Sequence, residues 1–256
     1  YGVAAGAHSG SVSMTYAWPS GEWGSIPIEG GVAAAYRREI EARWFAYWLK
    51  GTGDGHFAEA TVFDAGARRW RQFDAWPPAE AVTRNLYFHS ASRLSFEPPT
   101  DAAGFDQYVS DPAHPVPYRP RPVERTYAPG SRWARWMTED QRFVEGRPDV
   151  LQWQTEPLTQ DITVAGDIVA RLFASTTGTD ADWVAKLIDG YPDSVADRPG
   201  MGGYELMVAG DVMRGRYRNS WERPAMWWCR DWPAASTARP IPVPCRRALW
   251  RCWAAG

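Results

Sequence analysis

Histidine is the side chain best placed to move protons near neutral pH, and this sequence has four of them. His8 stands in Ala5-Gly6-Ala7-His8-Ser9-Gly10, where small residues on both sides let a ligand or another backbone come close. Locally the plainer reading is an incidental histidine in a surface turn. A hydrolytic site would also need a nucleophile, an orienting acid and oxyanion donors. The sequence holds no Gly-x-Ser-x-Gly elbow, and Gly6 to Gly10 has histidine rather than serine at its centre, so Ser9 is a poor nucleophile. His56 reads as a loop residue, His89 as a strand end and His114 as part of a proline-rich segment, and no pair has metal-ligand spacing. Asp180, Asp182, Asp189 and Asp193 could gather around Ca²⁺, although turn caps and ion pairs are the plainer use. Trp70, Trp76, Trp133, Trp136 and Trp183 could line a carbohydrate platform, with core packing the plainer use. No cofactor is implied.

The elements that would position these residues change character along the chain. Val32 to Lys50 has helical period: Tyr36, Ile40, Trp44 and Trp48 recur at four-residue steps, Phe45 and Leu49 widen the stripe, and Gly51 supplies the C-cap. From Thr52 onward short β-prone runs are separated by turn residues. They are Ala60–Phe63, Arg69–Phe73, Asn85–His89, Asp106–Ser110, Leu151–Glu156, Asp161–Val164, Ile168–Ser175, Trp183–Asp189 and Glu205–Val208. Strands without intervening helices predict a two-sheet sandwich, with the apolar runs at 168–174 and 183–188 as central strands. The proline-rich stretch 112–132 is expected to wrap the surface rather than pair.

Composition bounds the partners. With 256 residues, 45% of them hydrophobic, and a net charge of −2, the chain has neither a nucleic-acid footprint nor an anionic-membrane one. No apolar run is long enough to span a bilayer. The final segment, from Met226, mixes Trp, Arg, Cys, Pro and Ala without helical or strand period, and it holds all three cysteines, Cys229, Cys245 and Cys252. Their spacing matches no zinc motif, and an odd number leaves one thiol over. The segment reads like GC-rich DNA translated out of frame and is expected to be disordered, adding no core strands.

Five stretches between Phe88 and Trp221 carry a family resemblance: Ser95-Phe-Glu-Pro-Pro99, Asp106-Gln-Tyr-Val-Ser-Asp-Pro112, Asp140-Gln-Arg-Phe-Val-Glu-Gly-Arg-Pro-Asp-Val150, Ser175 to Asp189, and Met201-Gly-Gly-Tyr-Glu-Leu206. They resemble the C-terminal part of α-amino acid ester hydrolases, which belong with glutaryl-7-ACA acylase-like and cocaine-esterase-like enzymes and share an X-Pro dipeptidyl-peptidase C-terminal domain. The resemblance implies a mainly β fold, an incomplete jelly-roll sandwich preceded by the last loop and helix of an α/β-hydrolase domain. The implied divisions are 1–51 for the hydrolase remnant, 52–225 for the jelly roll and 226–256 for the tail. It implies His8 as the base of a Ser-His-Asp triad whose serine and aspartate lie before residue 1, so the chain by itself is expected to be inactive. The implied substrates of the full enzyme are esters, amides or β-lactams, with a homo-oligomer among the allowed assemblies and a periplasmic or secreted location. Against this stands a non-catalytic jelly-roll binding or interaction module.

Overall fold

A computed structural model describes residues 22–23, 26–27, 32–64, 67, 69–100, 104–118, 121–125, 131, 138–218, 220, 222–223, 241–245 and 251–255. Among the described residues the fold is mainly β with one longer helical segment and short 3-10 turns. Two compact units form, one from Tyr1–Ala81 with Arg121–Glu139, the other from Val82–Pro120 with Asp140–Gly256.

In the first unit, β1 (Glu22–Trp23) and β2 (Ile26–Pro27) make a minimal antiparallel pair. Helix α1 follows as α-helical Val32–Ala35, π-helical Tyr36–Glu41 and α-helical Ala42–Lys50. Residues 36 and 44 would stand about 80° apart in a regular helix, and the one extra residue that a π turn accommodates brings them nearly into line. Gly51 ends the helix at φ 64°, a left-handed conformation that costs glycine nothing, and its N–H donates to the Tyr47 carbonyl at 2.9 Å. Then β3 (Ala60–Asp64) and β4 (Arg69–Phe73) form a hairpin with Phe63 opposite Trp70. Trp70 meets Phe63 edge-on and stacks on the buried Tyr36, so the hairpin holds the first residue of the helical stripe.

The second unit contains β5 (Tyr87–His89), β6 (Arg93–Ser95), β7 (Leu151–Gln154), β8 (Ile168–Leu172), β9 (Asp182–Gly190), β10 (Glu205–Arg214), β11 (Ile241–Cys245) and β12 (Arg251–Ala255). Six of these make one sheet in the order β10-β9-β12-β7-β6-β5, while β8 and β11 pair separately. Trp183 on β9 and Met213 on β10 are buried together, with Ala170 of β8 and Ala174 packed against them. The smaller pair therefore covers a face of the larger sheet, consistent with a sandwich. At the other end Leu94 and Trp153 form a second core with Leu86, Phe88 and Leu151.

Three expectations need correction. The run 168–174 is not apolar on two buried faces: β8 sits in a two-stranded sheet, and Val169 and Phe173 are exposed. Neither 106–110 nor 161–164 is a strand: among the described residues no strand pairs with them. The C-terminal segment, expected to add no strands, supplies two. β11 pairs with β8, and β12 fills the gap between β7 and β9, with Cys252 opposite both Trp153 and Leu187. Strand pairing runs through main-chain N–H and C=O groups, so the lack of a side-chain period does not forbid it. The described part of the proline-rich segment has no strand, as expected.

Candidate functional site

His8 and its glycine loop lie outside the described residues, as do Trp133 and Trp136. The other three histidines are placed, in three different settings. His89, at the end of β5, is buried with both ring nitrogens engaged: Nδ1 faces Arg93 Nη2 at 2.9 Å, and Nε2 faces the Glu97 carbonyl at 2.9 Å. Arginine can only donate and a carbonyl can only accept, so the tautomer that satisfies both neighbours accepts at Nδ1 and donates from Nε2. His89 is a structural bridge across the β5–β6 hairpin. His56 is exposed, and its backbone N–H donates to Asp54 Oδ1, a bond that lowers the Asp54 pKa.

His114 makes a carboxylate–imidazole pair. Its Nδ1 lies 2.7 Å from Asp111 Oδ2, and Asp111 also accepts the Ala113 N–H at 2.9 Å. The histidine bond, then the backbone one, lowers the Asp111 carboxyl below its ordinary range. Arg147 ties this turn to the next loop: its Nη2 donates to the His114 carbonyl at 2.7 Å and its fork grips Asp149 at 2.8 and 2.6 Å. That grip lowers the Asp149 carboxyl. Burial, and then the charge of Asp149, pushes the Tyr108 phenol up. Such a pair can orient an imidazole, but hydrolysis also needs a nucleophile and oxyanion donors around it. The groups meeting this one are a backbone N–H and a guanidinium.

The acidic group does not converge on a cation site. Asp182 pairs with Arg214 through two bonds of 3.0 and 3.1 Å, and Asp180 pairs with Arg216. Burial pushes Asp180 up, but the hydrogen bond and charge of Arg216 outweigh it and leave the carboxyl lowered. Asp189, deeper on β9, is raised by burial. Among the described residues no group of His, Cys, Asp and Glu is arranged to hold a metal. The described tryptophans of the supposed platform are used in packing: Trp70 against Tyr36 and Phe63, Trp76 against Phe73, and Trp183 in the sheet core.

The polar chemistry that the sequence reading missed lies in Asp140–Val150. Asp140 caps the 3-10 turn Gln141–Val144 by accepting the Arg142 N–H, holds the Arg142 side chain, and accepts the Glu205 N–H at 3.2 Å. The next residue, buried Gln141, accepts from Lys186 Nζ at 2.7 Å. The Asp-x-Arg and Arg-x-Asp spacings were the visible signal: Asp140 and Gln141 dock the loop onto β10 and β9, while Arg147 and Asp149 tie it to the turn at His114. In the neighbouring glycine pair, Gly203 has φ 64°, and a Cβ on Gly202 would strike the Asp193 carbonyl oxygen.

These features define a β domain in which Asp140, Arg147 and Asp149 hold loops in place and Asp182 pairs with Arg214 across two strands. The chain belongs to the X-Pro dipeptidyl-peptidase C-terminal non-catalytic domain family, whose profile matches residues 45–238. It is 28% identical over 210 residues to cocaine esterase of Rhodococcus sp. strain MB1 Bresler, covering 77% of this chain and 34% of that protein. The crystal structure of an aminopeptidase from a marine sediment Thaumarchaeota archaeon aligns with TM-score 0.80 at 38% identity, over 92% of this chain and 38% of that one. A selenomethionine-labelled α-amino acid ester hydrolase aligns with TM-score 0.79 at 36% identity, over 93% of this chain and 39% of that one. The chain spans about a third of the length of cocaine esterase, the curated relative it matches over 210 residues.

Proposed function

We propose that this chain is the C-terminal portion of a serine hydrolase or acyl transferase acting on small-molecule esters or amides. The observation that carries the reading is the shared extent of the match. An esterase, an ester hydrolase and an aminopeptidase each align with most of this chain through only a minority of their own length. In this reading a serine supplied by the rest of the polypeptide attacks the carbonyl, and His8 takes its proton and returns it to the leaving group. Helix α1 is then the closing helix of the hydrolase domain, and the β unit is a jelly roll. α-Amino acid esters, β-lactam acyl groups and X-Pro dipeptides are the substrates to try first. The chemistry is proton transfer and acyl exchange, for which a triad and oxyanion donors suffice.

The family's description as a non-catalytic domain favours a second reading, in which the β unit serves only as a binding or interaction module. One experiment separates the two. The complete reading frame is sequenced and expressed beside the 256-residue chain, and both are offered a fluorophosphonate probe and p-nitrophenyl acetate. A Gly-x-Ser-x-Gly elbow in the longer product, labelling of its serine, loss of turnover in His8→Ala and no labelling of the 256-residue chain are expected. A complete reading frame without such a serine would overturn the hydrolase reading in favour of the module.

A further inference from the structure

Strand β8 is paired along one edge only. β11 runs antiparallel to it, with Pro242 opposite Arg171 and Pro244 opposite Val169. Proline has no N–H to give a ladder, so these two are the non-hydrogen-bonded pairs, and the bonds to β11 run through Ile168, Ala170 and Leu172. The N–H and C=O groups of Val169 and Arg171 therefore point away from β11, and among the described residues no strand meets them there. The same alternation turns Ala170 inward against Trp183 and Met213 and leaves Val169 and Phe173 exposed, at 49% and 69%. Asp167 and Arg171 are exposed on that edge as well, and neither makes an ion pair among the described residues. The end strand of the larger sheet is treated differently: on β10 the Val212 N–H donates to the Asp211 carboxylate at 2.7 Å, which blunts that edge. β8 has no proline, and its one charge is Arg171.

We infer that the open edge of β8 is a self-association site, at which the β8 strands of two copies of this chain pair antiparallel about a two-fold axis. Groups that point outward can bond only to groups that point outward, so odd-numbered residues must face odd-numbered ones across the axis. An axis through Arg171 would set two guanidinium groups against each other. An axis through Val169 sets Arg171 of each copy opposite Asp167 of the other, because the acid and the base in Asp167-Ile-Val-Ala-Arg171 stand two residues either side of Val169. Val169 then meets Val169 at the centre, and Phe173, two residues beyond Arg171 on the same face, flanks each ion pair. The resulting sheet has the order β11-β8-β8-β11. It stops there, because Pro242 and Pro244 leave the outer edges of both β11 strands without the donors that a further ladder needs. An edge of this length makes an interface at the small end of the stable range, so the dimer dissociates on dilution.

The test is sedimentation velocity of the 256-residue chain over a dilution series, beside Asp167→Lys, Arg171→Glu and the double swap of the two. Both side chains are exposed and unpaired, so all three variants should fold, and amide exchange at 183–188 checks that they do. Each single change turns two attractive cross-strand pairs into two repulsive ones and is expected to weaken dimerisation about ten-fold or more. The double swap restores both pairs with the charges exchanged and should bring the dimer back to within a few-fold of the parent. Amide exchange at Val169 and Arg171 should slow as concentration rises in the parent and the double swap, but in neither single variant. A monomer at every concentration would overturn the inference, as would a dimer that survives both single changes or one that the swap fails to restore. Growth beyond two copies would overturn it too, since each copy has one such edge to offer.

Discussion

Two tryptophans of this chain offer a direct test of where its stability resides. Trp153 on β7 is 8% exposed, lies 4.6 Å from Phe88 and shares a core with Leu94. A buried indole withdraws about 150–250 Å² from water. At about 25 cal/mol per Å² that is worth roughly 4–6 kcal/mol, an upper bound because the unfolded chain already buries some of it. Trp153→Ala, which also leaves a cavity, is expected to cost about 3–5 kcal/mol. Trp48 is 62% exposed, and its ring meets Trp44 and Tyr47 of its own helix. In the 256-residue chain Trp48→Ala is expected to cost no more than about 1 kcal/mol. The assay is urea unfolding at 25 °C, followed by circular dichroism and by fluorescence, with the slope compared between variants so that a change in stability is told from a change in compactness. Equal losses at the two positions would refute the reasoning, because they would mean that the open half of the helix stripe is as buried as the sheet core. A loss below about 1 kcal/mol at Trp153 would refute it from the other side.

Other outcomes follow from particular contacts. Arg147 lowers the Asp149 carboxyl in the folded state, so the pair stabilises the fold above the unfolded value near 4 and stops doing so as pH falls through the folded value. Asp149→Asn should therefore melt below the parent at pH 7, and the gap should close at acid pH. Asp189 is shifted the other way by burial, so its ionised form weakens the fold as pH rises through the folded value. Asp189→Asn should melt above the parent at pH 7 and with it at pH 3, whereas equal melting at both would show that the carboxylate is solvated. Gly202→Ala would drive a methyl group into the Asp193 carbonyl and is expected to cost about 1–3 kcal/mol in the same urea assay. Stopping the chain after residue 250 would leave the slot between β7 and β9 empty, and amide exchange at 151–154 and 184–187 should then accelerate; unchanged protection would show that β12 does not hold the sheet together.

Elements whose signal is local were legible in the sequence. The 32–50 helix, its Gly51 cap and the strands at 60–63 and 69–73 all stand where period and turn residues put them. β6 escaped notice because the turn before it uses Ala91 and Ser92 at φ 54° and 57°, a left-handed conformation that neither residue type announces. The loop 140–150 was visible as a motif, but its work was not: Asp140 and Gln141 find Glu205 and Lys186, partners 65 and 45 residues away.

The sequence by itself determined the predominance of short strands and the amphipathic 32–50 helix, since each depends on residue spacing within a short window, and five longer motifs carried the family resemblance. Tertiary structure decided which apolar residues are covered. It also turned His89 into a bridge between an arginine and a carbonyl, and set Asp180 and Asp182 against Arg216 and Arg214. The largest difference lies in the last residues, where a segment without side-chain period became two strands. The physical reason is that a strand's place in a sheet is fixed by the unpaired main-chain edges of its neighbours, and those edges belong to β7, β8 and β9 rather than to the segment that joins them.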